Sequence, residues 1–321
     1  MEDEKKLVPF RVSPIVDEYS WGIDEFKLAD LGYRDSLIAD GWLAGNTLSE
    51  VMDTYMDRVV GDNVYEYYGR QFPVQLKYIK VAGDMPLRVH PGDEIAAQRY
   101  DLLGREKLWY ILEAVADARL HLGFTQATDA SAVLGAIADG SLPGLLNTLP
   151  VQAGQYFHIA PGTVHGASGH LTIVEVSESS ALDFPVWGAQ PGSEEFDPAL
   201  SLVDALDFVD FGAFDIENPQ EGGQLISLPQ FTVTLRPLEQ ALRTRIEGPG
   251  AFTLYSCLRG AASVQAVDSH RFAAGETLLI PAEVEEFTLV PLEPGTQVLE
   301  ITVEHRSDTD LYTGPSLDEA V

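Results

Sequence analysis

The segment Gly154-Gln155-Tyr156-Phe157-His158-Ile159-Ala160-Pro161-Gly162-Thr163-Val164-His165 reads as a turn, a short strand, a tight turn at Pro161-Gly162, and a histidine opening the next strand. It has a counterpart upstream, Leu87-Arg88-Val89-His90-Pro91-Gly92-Asp93-Glu94. In a strand, positions 88 and 90 share a face, and Pro91 ends the strand. Two histidines carried by separate strands into one barrel are a common way to hold a divalent metal. Taken singly, either histidine is more often a satisfied core or surface side chain than a ligand, and it is the pairing that raises the ligand reading to even standing.

Outward from these segments the pattern alternates between short strands and a few helices. Period-two runs place Leu108, Tyr110 and Leu112 on one face, with Lys107, Trp109 and Ile111 on the other. Segments 119–124 and 171–176 alternate likewise, the latter with Leu171, Ile173 and Glu175 on one side. Short strands recur after residue 225, at about 231–236, 252–258, 263–267, 276–281, 286–290 and 297–304, which suggests a sandwich or barrel. Thr47-Leu48-Ser49-Glu50 is a capping box. The stripe that follows it (Leu48, Val51, Met52, Tyr55, Met56, Val59) predicts a helix stopped at Gly61. Further helices are expected from Asp93 to about Leu103 and from about Asp129 to Ala138. The polar run from Asp215 to Gln224 is the expected domain boundary.

Composition excludes several classes. The chain has 321 residues, 45% hydrophobic, with a formal net charge of -30. That charge argues against nucleic acid and anionic membrane surfaces as partners. The single cysteine, Cys257, permits no internal disulfide. The start, Met1-Glu2-Asp3-Glu4-Lys5-Lys6, has no apolar run after its bases, and no stretch has the length of a membrane span, so a cytoplasmic protein is expected. The bases are uneven: Lys77, Lys80, Arg88, Arg99, Arg105, Lys107 and Arg119 cluster, and 120–235 holds no Lys or Arg. An acidic protein that binds an anion needs such a local positive region.

Five motifs, in order, resemble the type I mannose-6-phosphate isomerases of the cupin superfamily. They are Gly45-Asn46-Thr47-Leu48-Ser49-Glu50, Tyr68-Gly69-Arg70-Gln71-Phe72-Pro73, Val89-His90-Pro91-Gly92-Asp93-Glu94, Leu108-Trp109-Tyr110 and Ala160-Pro161-Gly162-Thr163-Val164-His165. The resemblance implies a mainly β chain of two cupin-like jelly-roll barrels: a catalytic-type domain at 1–222 with helical additions, and a metal-free one at 223–321. It implies interconversion of mannose 6-phosphate and fructose 6-phosphate, assisted by zinc or another divalent metal. By matched position, His90 and His165 become metal ligands, and Lys77, Arg105 and Glu175 catalytic residues. Moving a proton between C1 and C2 needs a base and a cation facing the enediolate, which these residue types supply.

The sequence departs from the family at three positions. Arg88 stands where the family has a glutamine ligand, Lys107 where it has a glutamate ligand, and Pro185 where it has an arginine. Glu106 is next to Lys107, but a one-residue shift in a strand points to the opposite face. A cation held about 4 Å from a divalent ion is repelled by roughly 8 kcal/mol at an effective dielectric near 20. Either Arg88 and Lys107 turn away and water or Glu175 completes the shell, or they occupy the ion's space and bind substrate anions in its stead. The second alternative leaves a non-catalytic or altered-specificity cupin that binds sugar phosphates or other anions.

Overall fold

The computed structural model describes residues 5–189, 202–215, 223–245 and 250–303. The boundary segment 216–222 lies outside the described residues. Strands dominate and fall into sheets of ten, six and four strands among the described residues. The ten-stranded sheet draws on the chain between Ile15 and Trp187, the other two on Gln224–Thr302. One element crosses the expected division at 222: Phe10–Arg11 pairs with Thr277–Ile280, Phe10 opposite Leu279. Three C-terminal strands that alternation did not reveal, Gln224–Ser227, Leu242–Arg245 and Ser269–Ala273, are short and largely exposed.

The strand His165–Glu178 organises the first barrel. Its opening residues pair with Arg119–Phe124, and His165 also stands opposite Arg88. Its later residues lie between Val74–Asp84 and Lys107–Ala114. The transition passes Gly169, which has a φ of 87° and would drive a Cβ to 2.5 Å from the carbonyl oxygen of Asp117.

Period-two alternation then sorts the side chains. Ile79, Val81, Trp109, Ile111, Leu171 and Ile173 gather in the barrel interior. Each contributes about 1.5–3 kcal/mol relative to an exposed position. Leu76, Tyr78, Leu108, Tyr110, Val174 and Val176 face the other way. They form one core with the helices and with Leu254, Leu299 and Ile301 of the six-stranded sheet. Following the interior faces along the strands, Ile79 leads to Lys77, Trp109 to Lys107 and Ile173 to Glu175. The same alternation that builds the core therefore puts charge at one end of it.

The helices brace this arrangement. Thr47 and Glu50 form the capping box reciprocally, at 3.2 and 2.9 Å. The helix expected to run to Gly61 is interrupted: Leu48–Tyr55 ends at Met56, whose φ is 49°, and Asp57–Val60 follows. The break turns Val59 and Val60 toward the second lobe, where their carbonyls accept from Ala282 (2.8 Å) and Phe252 (3.4 Å). The helix Asp93–Tyr100 stops short of Leu103, because Asp101 adopts a left-handed conformation. Ala130–Asp139 is capped by Asp129 on the amide of Ala132 at 2.8 Å. No helix among the described residues is long and apolar enough to cross a membrane.

Candidate active site

Two backbone devices bring the histidine segments together. His165 opens its strand directly across from Arg88. The Gly162 amide donates to the His90 carbonyl at 2.9 Å, and Gly162 has a φ of 83°. The imidazoles of His90 and His165 consequently meet, with ring centroids 5.1 Å apart and both rings wholly buried. The Nδ1 of His165 lies 2.9 Å from the Thr163 carbonyl oxygen, to which it donates, so Nε2 presents its lone pair.

Antiparallel register assembles the charged end. Glu175 stands opposite Lys77 on one side and Trp109 on the other. Its Oε1 lies 2.9 Å from Arg105 Nη2 and 3.3 Å from Lys77 Nζ, and its Oε2 accepts from Trp109 Nε1 at 2.7 Å. Lys77 also reaches Asp24 at 3.2 Å. Lys107 Nζ lies 2.9 Å from Asp183 Oδ1 and 3.0 Å from His165 Nε2. Asp183 Oδ2 is 3.7 Å from both Arg88 and Arg105.

A cavity of about 210 Å³ opens over this cluster. Its wall includes Lys77, Arg88, Arg105, Asp24 and Asp183, with Tyr19, Phe26, Tyr33 and Gln75. Of the residues expected to act together, Lys77, Arg88 and Arg105 reach the cavity. His90, His165, Glu175 and Lys107 are buried one layer further in. The Lys107 ammonium is engaged by His165 and Asp183 behind the cavity wall. Glu106, one residue away, points outward and pairs with His158 at 2.7 Å, as strand alternation requires.

Electrostatics follow from burial and from this crowd. Burial opposes ionisation of Glu175, but Lys77, Lys107 and Arg105 outweigh it and hold the carboxyl well below its usual range. Asp183 is held low in the same way, by Lys107, Arg105 and Arg88 against burial. Lys77 is raised despite burial, because Asp24 and Glu175 face it. Lys107 is pushed down to about 8 by burial and by Arg105. Burial and Lys107 push His165 down to about 3, and the same causes hold His90 well below its ordinary value. At neutral pH, Lys77, Arg88, Arg105 and Lys107 face Asp24, Glu175 and Asp183. One positive charge is in excess, within a chain whose formal net charge is -30.

Alternation around the histidines did not single out Asp24 and Asp183. Their signals lie elsewhere: Asp24 sits on the same alternating face as Phe26 and Leu28, and Asp183 precedes the short strand Phe184–Trp187. Four bases inside one barrel also require buried carboxylates. The register adds one more finding, that Pro185 stands directly opposite Arg88. The guanidinium that the family resemblance places at 185 has a counterpart on the facing strand, although the neighbouring sequence offers none.

Two curled antiparallel lobes, the first gathering imidazoles, carboxylates and bases in its interior, give the chain a cupin-type fold. No family model matches the chain. GmuF, a probable mannose-6-phosphate isomerase of Bacillus subtilis, is 23% identical over 309 residues, spanning 88% of this chain and 96% of that protein. ManA, a mannose-6-phosphate isomerase of the same organism, is 27% identical over 198 residues, 56% of this chain and 60% of the relative. The crystal structure of the Bacillus subtilis mannose 6-phosphate isomerase matches with a TM-score of 0.77 at 18% identity, over 92% of this chain and 99% of the other. A zinc-bound mannose 6-phosphate isomerase matches with a TM-score of 0.70 at 13% identity, with the same coverage. The chain is similar in sequence, at 23–27% identity, and in fold to mannose-6-phosphate isomerases.

His90, His165 and Asp183 each offer a ligand atom, all within 4.8 Å of one another, a donor set that fits a divalent metal in type and spacing. Both ring nitrogens of His90 are buried without a hydrogen-bond partner among the described residues. Such a group is costly to leave unsatisfied, and an ion bound to it would remove that cost.

Proposed function

We propose that the chain is an aldose–ketose isomerase that interconverts mannose 6-phosphate and fructose 6-phosphate in the cavity walled by Lys77, Arg88, Arg105 and Asp183. The observation that carries this reading is Arg88. Its guanidinium makes no hydrogen bond to a described residue, its nearest carboxylate oxygen is 3.7 Å away, and it lines the cavity. Unspent guanidinium donors beside an excess positive charge suit a phosphate group, which takes them up in bidentate fashion.

The remaining groups divide the chemistry. Lys77, kept charged by Asp24 and Glu175, gives a hydrogen bond to the sugar ring oxygen as C1–O5 breaks and the C1 hydroxyl proton passes to that oxygen, so Lys77 remains a cation. It then faces the oxygen on which enediolate charge develops. Arg105 orients the substrate from the same side. Glu175 acts by positioning, because both of its oxygens are committed to Lys77, Arg105 and Trp109. Asp183 lines the cavity, and its Oδ2 accepts no hydrogen bond from a described residue; it takes the proton from C2 and returns it to C1. A divalent ion such as zinc, held by His90, His165 and Asp183, would supply Lewis-acid stabilisation of the developing oxyanion.

In this reading residues 1–222 form the catalytic-type lobe and 223–321 a second, metal-free lobe. The support is that the strands carrying the charged cluster all belong to the ten-stranded sheet. The test is a coupled assay of fructose 6-phosphate formation. Turnover of mannose 6-phosphate with none of mannose is expected. Absence of turnover in the presence of zinc, manganese or cobalt contradicts the reading.

A further inference from the structure

We infer that Lys107 is a tethered competitor of the metal ion, so that its ammonium and a divalent cation exclude one another from the space between His165 and Asp183. Lys107 Nζ lies 3.0 Å from His165 Nε2 and 2.9 Å from Asp183 Oδ1, while those two ligand atoms are 4.0 Å apart. Zinc bonds nitrogen and carboxylate oxygen at about 2.0–2.2 Å, so an ion touching both atoms lies at most about 3.1 Å from Nζ. Two cations that close, both inside a barrel, repel strongly.

The ammonium satisfies only part of the trio. It donates to His165 and Asp183, and both nitrogens of the fully buried His90 remain without a partner among the described residues. The three donors are therefore gathered as for an ion, and a side chain holds two of them. Metal binding has to move Lys107 aside, which weakens the wild-type site without abolishing it. Removing the ammonium while keeping the donors leaves Asp183 with less compensation and clears the space, so metal affinity must rise. If Lys107 served merely as packing, or as an amine ligand to the ion, its removal would leave affinity unchanged or lower it.

The experiment measures zinc affinity by competition with a chromophoric chelator at fixed pH and without sugar. It uses the full chain, as wild type, Lys107→Met and Lys107→Gln. It does not depend on turnover, so its failure is distinct from failure of the isomerase reading. Tightening on the order of a hundredfold in both variants is expected from losing one adjacent cation. Equal or weaker binding in variants whose melting curves show them folded overturns the inference, as does no zinc binding by any of the three proteins. If neither variant folds, a crystal structure of the wild type grown with zinc decides the matter. An ion on His165 and Asp183 with Nζ moved out of hydrogen-bond distance supports the inference. An ion there with Nζ still within reach of both, or no ion there at all, contradicts it.

Discussion

Glu175 and Lys77 face one another residue to residue across an antiparallel pair, with 3.3 Å between Oε1 and Nζ. Arg105 joins the same oxygen at 2.9 Å, so one fully buried carboxylate holds two cations in place. Removing the charge leaves those cations facing each other in a desolvated space. Glu175→Gln is expected to lower stability by about 3–5 kcal/mol, as for other broken buried pairs. Urea denaturation of the two proteins checks this. A loss no larger than that of an exposed pair would show that water enters the cluster freely.

Arg88 is expected to act on substrate binding more than on the chemical step. Its donors are unspent, and its nearest carboxylate oxygen stands outside hydrogen-bond distance at 3.7 Å. Arg88→Gln should raise KM for the phosphosugar by roughly 10–100-fold, the equivalent of a charge-assisted hydrogen bond or two. The effect on kcat should be small by comparison. Steady-state kinetics separate the two parameters, and an unchanged KM removes Arg88 from the phosphate site.

The histidines make stability depend on acid. His165 is lowered to about 3 in the folded chain, from an ordinary value of 6.5. Between those limits the unfolded chain binds more protons, so stability rises with pH and is lost as pH falls from 6.5 toward 3. One such group contributes at most about 1.4 kcal/mol per pH unit inside that window. His90 is lowered in the same direction and adds to the slope. Glu175 and Asp183 also lose stability in acid, but only as pH falls below their ordinary values of 4.5 and 3.8. The histidine contribution is therefore read above pH 5. Denaturation of wild type and His165→Gln between pH 5 and 7 should give a shallower pH slope in the variant.

Much of this site is legible in the sequence, because barrel strands obey a period of two. That Lys107, Trp109 and Ile111 share a face, as do Leu171, Ile173 and Glu175, follows from alternation; which face is interior does not, because Leu108, Tyr110 and Val174 on the opposite faces are buried too. The convergence of His90 and His165 follows from the two Pro-Gly turns and from the family resemblance. Long-range register is what alternation does not encode. It places Arg88 opposite both His165 and Pro185, and it lets Asp183 draw Lys107 away from the cavity. The break at Met56 is equally hidden, because the apolar stripe continues through it and only contact with the second lobe rewards the turn.

The most direct measurement is the turnover of mannose 6-phosphate by wild type and by Asp183→Asn, with binding of the phosphosugar followed in parallel by calorimetry. The account predicts turnover by the wild type, and in the variant a fall in kcat of at least about a hundredfold with affinity changed only a few-fold. Binding by both proteins with turnover by neither would contradict it, and would leave an anion-binding barrel in place of an isomerase.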